Sequence, residues 1–256
     1  RELTDRPFAV NHTNRPFVEE AFAATLEAAP HAISFHLGVP ADLVERAHDA
    51  GVLWIQQVVD RRQAEQALEA GADVIVAQGG EAGGHGGWVS TMVLVPQVAT
   101  LAGDVPVVAA GGIADGRGLA AALMLGAQGV SMGTRFLASD ELRIADAWKR
   151  RIVEADAVDS VKVRNSGRVL PPYTREGSEV EPRALRTPLV DQLADHPEWI
   201  DPAAVGSRVR EAVLAGRGDE YLPFAGQSAG LIDEVLPAAE IVRRVVAEAE
   251  AALAHA

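Results

Sequence analysis

The sequence contains no cysteine, few aromatic residues and no long apolar run, and these absences exclude several classes of protein and site. Without cysteine there can be no disulfide bond, thiolate nucleophile, zinc–thiolate site or iron–sulfur cluster. No apolar run is long enough to span a bilayer, and no segment resembles a signal peptide. We therefore expect a cytoplasmic protein without a membrane partner. The 48% hydrophobic share of its 256 residues is enough for a large buried core.

Positive charge is scarce as well. The sequence has 23 lysine and arginine residues against 36 aspartate and glutamate residues, which gives a formal net charge of -13. Only two of the basic residues are lysines, Lys149 and Lys162. Because clustered positive charge supplies the affinity for nucleic acid, we expect no nucleic acid partner. An anionic small molecule would have to be held by backbone amides and single side chains.

From residue 7 to residue 137 the sequence repeats one unit, which is a short apolar run, a turn and an amphipathic stretch. The apolar runs predict six strands, at Phe8–Asn11, Ala32–His36, Val52–Val58, Ala72–Ala77, Val105–Ala110 and Gly129–Met132. The stretches between them predict helices at residues 17–29, 41–50, 61–70, 91–102 and 115–125. Strands that alternate with helices form right-handed crossovers and a parallel sheet. The sequence therefore predicts an α/β fold.

Six such units fit a TIM (β/α)8-type barrel, which has eight, and they also fit an open six-stranded sheet. After Ser139 the pattern changes. Helices are predicted near residues 140–155, 181–195 and 202–215, and a loop is predicted at residues 164–178. We expect three segments: a barrel over residues 1–139, a small, mainly helical cap over 140–225, and a long helix within 226–256 that returns to the barrel.

A glycine-rich loop, Gln78–Gly87, follows the fourth predicted strand and has six glycines in ten residues. Loops at the carboxyl ends of parallel strands carry the sites of α/β enzymes, and glycine lets a ligand approach the backbone. His85 lies in this loop, and an imidazole can accept a proton near neutral pH. The alternative is a flexible turn, but the polar residues within the loop favour a site. His36, at another strand end, is a weaker candidate for the pocket. Trp88 could form a pocket wall or a lid contact.

Two further loops with glycine follow the last two predicted strands. In a barrel, these loops and the start of a short helix form a phosphate site, because backbone amides and the helix dipole attract the anion. One Gly-Gly pair alone could be a tight turn, but two such loops in this order favour a phosphate-bearing ligand. The G-x-G-x-x-G dinucleotide fingerprint does not follow the first strand. The candidate phosphate contacts are Gly111, Gly112, Ser131, Met132, Gly133 and Thr134.

Three polar residues at the ends of predicted elements have structural interpretations. Asn11 ends the first predicted strand, where its amide could meet a ligand ring or, with a slight preference, cap a turn. Asp115 is interpreted as the N-cap of the following helix rather than as a catalytic acid. Asp60 is interpreted in the same way for the helix at 61–70.

Together and in this order, these segments resemble the nitronate monooxygenase family, formerly called 2-nitropropane dioxygenases, which bind FMN in a TIM barrel. The run Gly-Gly-His, followed by Ala-Gly-Gly-Ile-Ala-Asp and Met-Gly-Thr-Arg-Phe, is specific for this family and its close relatives. The resemblance is strong over residues 6–140 and looser beyond, through residues 225–232. It implies that His85 is the catalytic residue. It also implies FMN contacts from Asn11, Gln78, Gly83 and Gly84, with the phosphate near Gly111, Gly112, Ser131, Met132, Gly133 and Thr134.

The sequence departs from the family pattern at two places. The family has two upstream βα units, which include a methionine-containing glycine-rich segment against the flavin, and nothing here matches them. We therefore expect the chain to be a fragment of a longer natural protein. Gln57 stands where some members carry lysine, which bears on the subclass and the substrate.

The activity implied by the resemblance is the oxidation of alkyl nitronates, or of nitroalkanes, by O2 to a carbonyl compound and nitrite. His85 would act as a base towards a neutral nitroalkane or, as imidazolium, as a partner for the nitronate anion. The first alternative is an NAD(P)H-dependent flavin reductase, like the enoyl-acyl carrier protein reductases that share the Gly-Gly-His loop or like quinone reductases. The second alternative is a non-catalytic barrel that binds a phosphate-bearing ligand.

Overall fold

The computed structural model describes residues 6–13, 17–36, 38–170 and 180–255. Its strands are β1 (Ala9–Thr13), β2 (Ala32–His36), β3 (Leu53–Val58), β4 (Val74–Gln78), β5 (Gly84–Gly86), β6 (Val107–Ala110), β7 (Gly129–Ser131), β8 (Ser160–Lys162) and β9 (Glu181–Leu185). Its helices are α1 (Glu19–Ala28), α2 (Ala41–Asp49), α3 (Arg61–Glu69), α4 (Thr91–Ala102), α5 (Gly116–Met124), α6 (Thr134–Leu137), α7 (Asp146–Glu154), α8 (Pro188–Asp195), α9 (Pro202–Leu214) and α10 (Ala238–Ala254). None of the helices in the described part of the chain is long and apolar enough to cross a membrane.

Six of the strands form one parallel sheet in the order β1-β2-β3-β4-β6-β7. This confirms the α/β class and all six predicted βα strands, with boundaries that differ by up to two residues. Among the described strands, β1 and β7 end the order and do not pair with each other, so the described strands alone do not close the TIM-type barrel. The N-cap predictions are confirmed too, because Asp60 accepts the Gln63 N–H at 2.8 Å and Asp115 accepts the Gly118 N–H at 3.1 Å.

The two faces of the parallel sheet differ in burial. On the outer face, which the helices cover, Phe35, Trp54 and Ile75 are fully buried, and the Phe35 and Trp54 rings stack with centroids 4.5 Å apart. On the inner face Ser34, Ile55 and Val76 are only half-buried, and Leu53 is 51% exposed. The strand register places Gln78 beside Ala110, and Ala110 beside Ser131, on this inner face at the carboxyl ends of the strands.

The helix expected over 181–195 is wrong in its first half, because residues 181–185 form β9. The residues of β9 alternate between half-buried and buried, as strands do, and Pro182 in it has no N–H to donate to a helix. β9 is the centre of an antiparallel sheet of order β5-β9-β8, which the expectation of a mainly helical cap did not include. The cap has its own apolar core, which includes Val163, Leu193 and Val209.

The long C-terminal helix begins later than expected. Residues 227–231 form a 3-10 turn, and α10 starts only at Ala238, directly after Pro237, where a helix can begin but not continue from upstream. α10 packs against α5, and the Gly116 N–H donates to the Glu248 carboxylate at 2.9 Å. The predicted loop at 164–178 contains a short 3-10 turn, Ser166–Arg168, and its residues 171–179 lie outside the described part. The division into three segments stays a prediction.

Candidate active site

A cavity of about 330 Å³ lies at the carboxyl end of the parallel sheet, between the loops that follow β4, β6 and β7. Eight of the predicted cofactor contacts line it, namely Gln78, Gly83, Gly84, Gly111, Gly112, Ser131, Gly133 and Thr134. The other lining residues are Gln57, Ala82, Ala110, Ile113, Leu137, Phe224 and Ser228. None of these fifteen residues carries a charged side chain. An anion in this cavity would therefore be held by amides and hydroxyl groups.

Glycine is required where the loops after β4 and β6 touch each other. Gly111 and Gly112 have φ angles of 94° and 73°, in the left-handed region that favours glycine. A Cβ atom at Gly111 would lie 2.8 Å from the Gly79 carbonyl oxygen, closer than such contacts allow. The Gly79 N–H also donates to the Ala110 carbonyl at 2.8 Å. The close approach of these backbones forms one wall of the cavity.

Glu81, in the same loop, has a structural role. Its carboxylate accepts the Thr91 N–H at 2.9 Å and the Thr91 hydroxyl at 3.0 Å, at the start of α4. Thr91 Oγ1 also lies 2.8 Å from the Gly111 carbonyl oxygen, to which it can donate. These bonds join the loops after β4 and β6 to α4, so the carboxylate stabilises the site rather than facing the cavity.

The loop after β7 leaves room for a ligand. A Cβ atom at Gly133 would meet no heavy atom within 4 Å, although Gly133 lines the cavity. α6 begins at Thr134, as the sequence predicts, and the first N–H groups of a helix have no partner within the helix. The Thr134 hydroxyl accepts the Gly226 N–H at 2.9 Å, which fixes residues 134 and 226 together. This open, neutral, amide-lined end fits a phosphate group.

Gln57 and Gln78 meet on the inner face of the sheet. Gln57 Nε2 donates to Gln78 Oε1 at 3.1 Å, and both side chains line the cavity. This bond fixes the orientation of the Gln78 amide. The position that departs from the family pattern therefore lies within the candidate site.

His85 lies on β5, opposite Pro182 of β9, and its ring centroid is 6.3 Å from that of Phe224, which lines the cavity. Burial, as the largest cause, and the charges of His36 and Lys162 together lower the pKa of His85 to about 4. The imidazole is therefore neutral at pH 7. His85 itself does not line the cavity, and its catalytic role stays a prediction.

Lys162 is the residue near this site that the sequence did not reveal. Its Nζ atom lies 2.8 Å from the Gly86 carbonyl oxygen, 3.1 Å from the Glu181 carbonyl oxygen and 5.4 Å from the centre of the Trp88 ring. Burial is the main cause that lowers its pKa to about 8, and the Arg183 charge adds to it. The only signal in the sequence was that lysine is rare.

Four further candidates lie outside the cavity lining. Asn11 is exposed on β1, and its Oδ1 accepts the Ser34 hydroxyl at 3.0 Å. Met132 packs against the apolar core on the outer face of the sheet. Trp88 is 61% exposed. His36 is half-buried, and its burial lowers the pKa of its imidazole. The FMN contacts of Asn11 and Met132 stay predictions.

A family model described as nitronate monooxygenase matches residues 15–248. The chain belongs to the nitronate monooxygenase family. This confirms the resemblance that the sequence predicts, and it makes the chain an oxidoreductase by family. The match includes both groups of glycine loops and His85.

Three proteins that are similar to this chain have names that describe different activities. The chain is 36% identical over 239 residues to a nitronate monooxygenase of Pseudomonas aeruginosa, which covers 87% of this chain and 64% of that protein. It is 31% identical over 291 residues to a 5-hydroxy-7a-methyl-1-oxo-octahydro-1H-indene-4-carboxyl-CoA dehydrogenase of Rhodococcus jostii, covering 97% of this chain and 79% of that protein. The structure of FabK from Thermotoga maritima matches with a TM-score of 0.85 and 35% identity, over 99% of this chain and 79% of that one. The chain thus spans less than two thirds of the nitronate monooxygenase.

Proposed function

We propose that the protein is an FMN-dependent enzyme that oxidises alkyl nitronates with O2 to a carbonyl compound and nitrite. In the overall reaction the carbon–nitrogen bond breaks, the carbon gains an oxygen atom from O2, and nitrogen leaves as nitrite. Two nitronates and one O2 balance as two carbonyl compounds and two nitrite ions. The observation that carries the proposal is the pairing of an uncharged, amide-lined cavity with a neutral His85 beside it.

The residues present fit FMN. The open space at Gly133, the left-handed Gly111 and Gly112, and the start of α6 would receive the phosphate. Gln57 and Gln78 would face the polar edge of the ring. When bound, FMN would supply the electron transfer, which no side chain of the protein can supply.

His85 would act as a base, since the neutral form of an imidazole accepts a proton. It would take the proton from the α-carbon of a neutral nitroalkane, and the nitronate anion would form beside it. Of the two roles left open by the sequence, the low pKa of His85 favours the base over the imidazolium partner. The same residue would not be needed as a base when a preformed nitronate is the substrate.

The test is the His85→Ala variant, with His31→Ala as a control because His31 is an exposed histidine outside the cavity lining. We expect His85→Ala to retain FMN and to lose turnover of nitroethane by about 100-fold to 10,000-fold, the usual contribution of a general base. His31→Ala should match the natural protein. Full activity with nitroethane in His85→Ala would remove the catalytic role of His85.

An NAD(P)H-dependent flavin reductase is the second candidate, favoured by the similarity to a CoA dehydrogenase and to FabK. The two functions are separated by adding ethylnitronate and NADH, in turn, to the flavin-loaded protein without oxygen. A change of the flavin spectrum with the nitronate alone supports the monooxygenase. Rapid bleaching by NADH supports the reductase. If the protein binds no flavin at all, the non-catalytic alternative is left.

A further inference from the structure

Lys162 lies beside the loop that carries His85, because its Nζ atom donates to the Gly86 carbonyl oxygen at 2.8 Å. A Cβ atom at Gly86 would be 3.4 Å from Gln78 Oε1, which belongs to the cavity lining, and 3.7 Å from Lys162 Nζ. The ammonium group and the Gln78 amide therefore border the same small space, which the absent side chain of Gly86 leaves open. Because the charge of Lys162 lowers the pKa of His85, the two groups also interact electrostatically.

Among the described residues, the ammonium group has backbone partners and forms no ion pair. Its bonds go to the carbonyl oxygens of Gly86 and Glu181, and in the described part of the chain no carboxylate lies within 4.0 Å of Nζ. An ammonium group has three N–H donors, so within these residues one donor is left for the Trp88 ring or for a ligand. A positive charge in a partly buried place, with a donor to spare, is suited to a small anion.

The other charged or titratable groups nearby do not compete for this role. Arg183 donates to the Gly80 carbonyl at 3.0 Å and to the Ser160 carbonyl at 2.5 Å, so its guanidinium fixes the two sheets together. His85 is neutral at pH 7, and Glu81 is bonded to Thr91. The cavity lining itself carries no charge. In the described part of the chain, Lys162 therefore supplies a positive charge that acts on His85 and is not held by a carboxylate.

We propose that Lys162 binds the negatively charged oxygen of the substrate nitronate and thereby makes the enzyme prefer the anion to the neutral nitroalkane. The proposal rests on the proposed function. The two side chains then have different roles, because His85 accepts the proton and Lys162 binds the negatively charged oxygen. A substrate that meets both groups has its reacting carbon near His85 and its nitro oxygens towards Lys162.

The first experiment compares Lys162→Met and Lys162→Arg, with Lys149→Met as the matched control. Lys149 is the only other lysine, and its Nζ also donates to two carbonyl oxygens, those of Ser139 and Asp140, away from the cavity. We expect Lys162→Met to raise KM for ethylnitronate at least about 10-fold and KM for nitroethane by much less, since a bond to a charged group is lost. Lys162→Arg should keep part of the preference, and Lys149→Met should keep all of it.

A binding measurement that needs no turnover uses nitrate, a planar anion without a C–H bond. Nitrate is titrated into the flavin-loaded protein while the flavin absorption is followed. Binding should weaken at least about 10-fold in Lys162→Met. In the natural protein it should weaken as the pH rises through about 8, where the ammonium group loses its proton. Arg183, Glu181, Glu81 and His85 face Lys162, and His85, with a pKa of about 4, stays neutral from pH 7 to 9.

The outcomes separate this proposal from the proposed function. If the natural protein oxidises nitronates and Lys162→Met keeps the same ratio of the two KM values, the role of Lys162 is wrong. If the natural protein oxidises neither compound, the proposed function fails, and nitrate binding still tests the anion site. If Lys162→Met does not fold, the pH dependence of nitrate binding by the natural protein is the remaining test. Nitrate affinity that does not change from pH 7 to 9 would overturn the proposal.

Discussion

The two sides of the candidate site are built in different ways. On one side, which we term the amide side, Gly111, Gly112, Ser131, Gly133 and Thr134 line the cavity with backbone groups, glycines and small hydroxyl side chains. On the other, which we term the titratable side and which consists of His85, Lys162 and His36, the charges of Lys162 and His36 help to lower the pKa of His85. The amide side depends on backbone conformation, and the titratable side depends on protonation. Substitutions should therefore damage the two sides independently, and pH should act mainly on the second.

The largest effect is expected at Gly111, on the amide side. Gly111→Ala should lower the free energy of unfolding by about 1–3 kcal/mol, because alanine is strained at a φ of 94° and its Cβ would press on the Gly79 carbonyl. It should also lower FMN affinity, since this contact shapes the cavity. Urea unfolding and FMN titration measure the two effects. A variant of unchanged stability would contradict the close backbone contact.

An intermediate effect, confined to the cofactor, is expected at Gly133. Gly133 has a φ of −95° and open space where a Cβ would lie. The free energy of unfolding of Gly133→Ala should therefore stay within about 0.5 kcal/mol of that of the natural protein. FMN affinity should fall about 10-fold if the phosphate lies against Gly133. Gly129→Ala is the control, because it also has open space but does not line the cavity. Equal FMN affinity in both variants would place the phosphate elsewhere.

The smallest effect is expected from pH on the titratable side. The pKa of His85 is about 4 in the folded protein and near 6.5 when unfolded, so unfolding takes up protons between these pH values. Stability should therefore fall as the pH is lowered from 6.5 towards 4, by about 1 kcal/mol or less over the whole range, because solvent screens this half-buried group. The difference in unfolding free energy between the natural protein and His85→Gln, measured across this range, isolates the contribution. A difference that does not change with pH would contradict the burial of a neutral imidazole.

Much of the amide side could be predicted from the sequence, because its signals are local. A strand followed by glycines indicates where a loop lies and that a ligand can come close to its backbone. The six strands and the glycine loops lie where the sequence periodicity predicts them. Asp60 and Asp115 likewise cap the helices that begin next to them. Such features depend on residues a few positions apart.

The titratable side was predicted only in part, because its contacts join distant segments. His85 was found from its own loop, but Lys162 reaches it through β8 and β9, which were not predicted. The segment 181–185 was expected to be helical, yet pairing with β5 and β8 makes it a strand. A pattern among neighbouring residues contains no information about a strand partner about a hundred residues away. Here tertiary pairing overrides local propensity.

The same distant pairing has a consequence for how the protein is made. β5 is held by β9, and the Arg183 guanidinium reaches the Gly80 carbonyl across 103 residues of chain. During synthesis, the parallel sheet and both glycine loops can form while residues beyond 140 are still being added, since domains fold as their contacts become available. The cavity is complete only later, because Phe224 and Ser228 also line it and the Gly226 N–H donates to the Thr134 hydroxyl. Slow formation of such long-range contacts would then set the pace at which the candidate site matures.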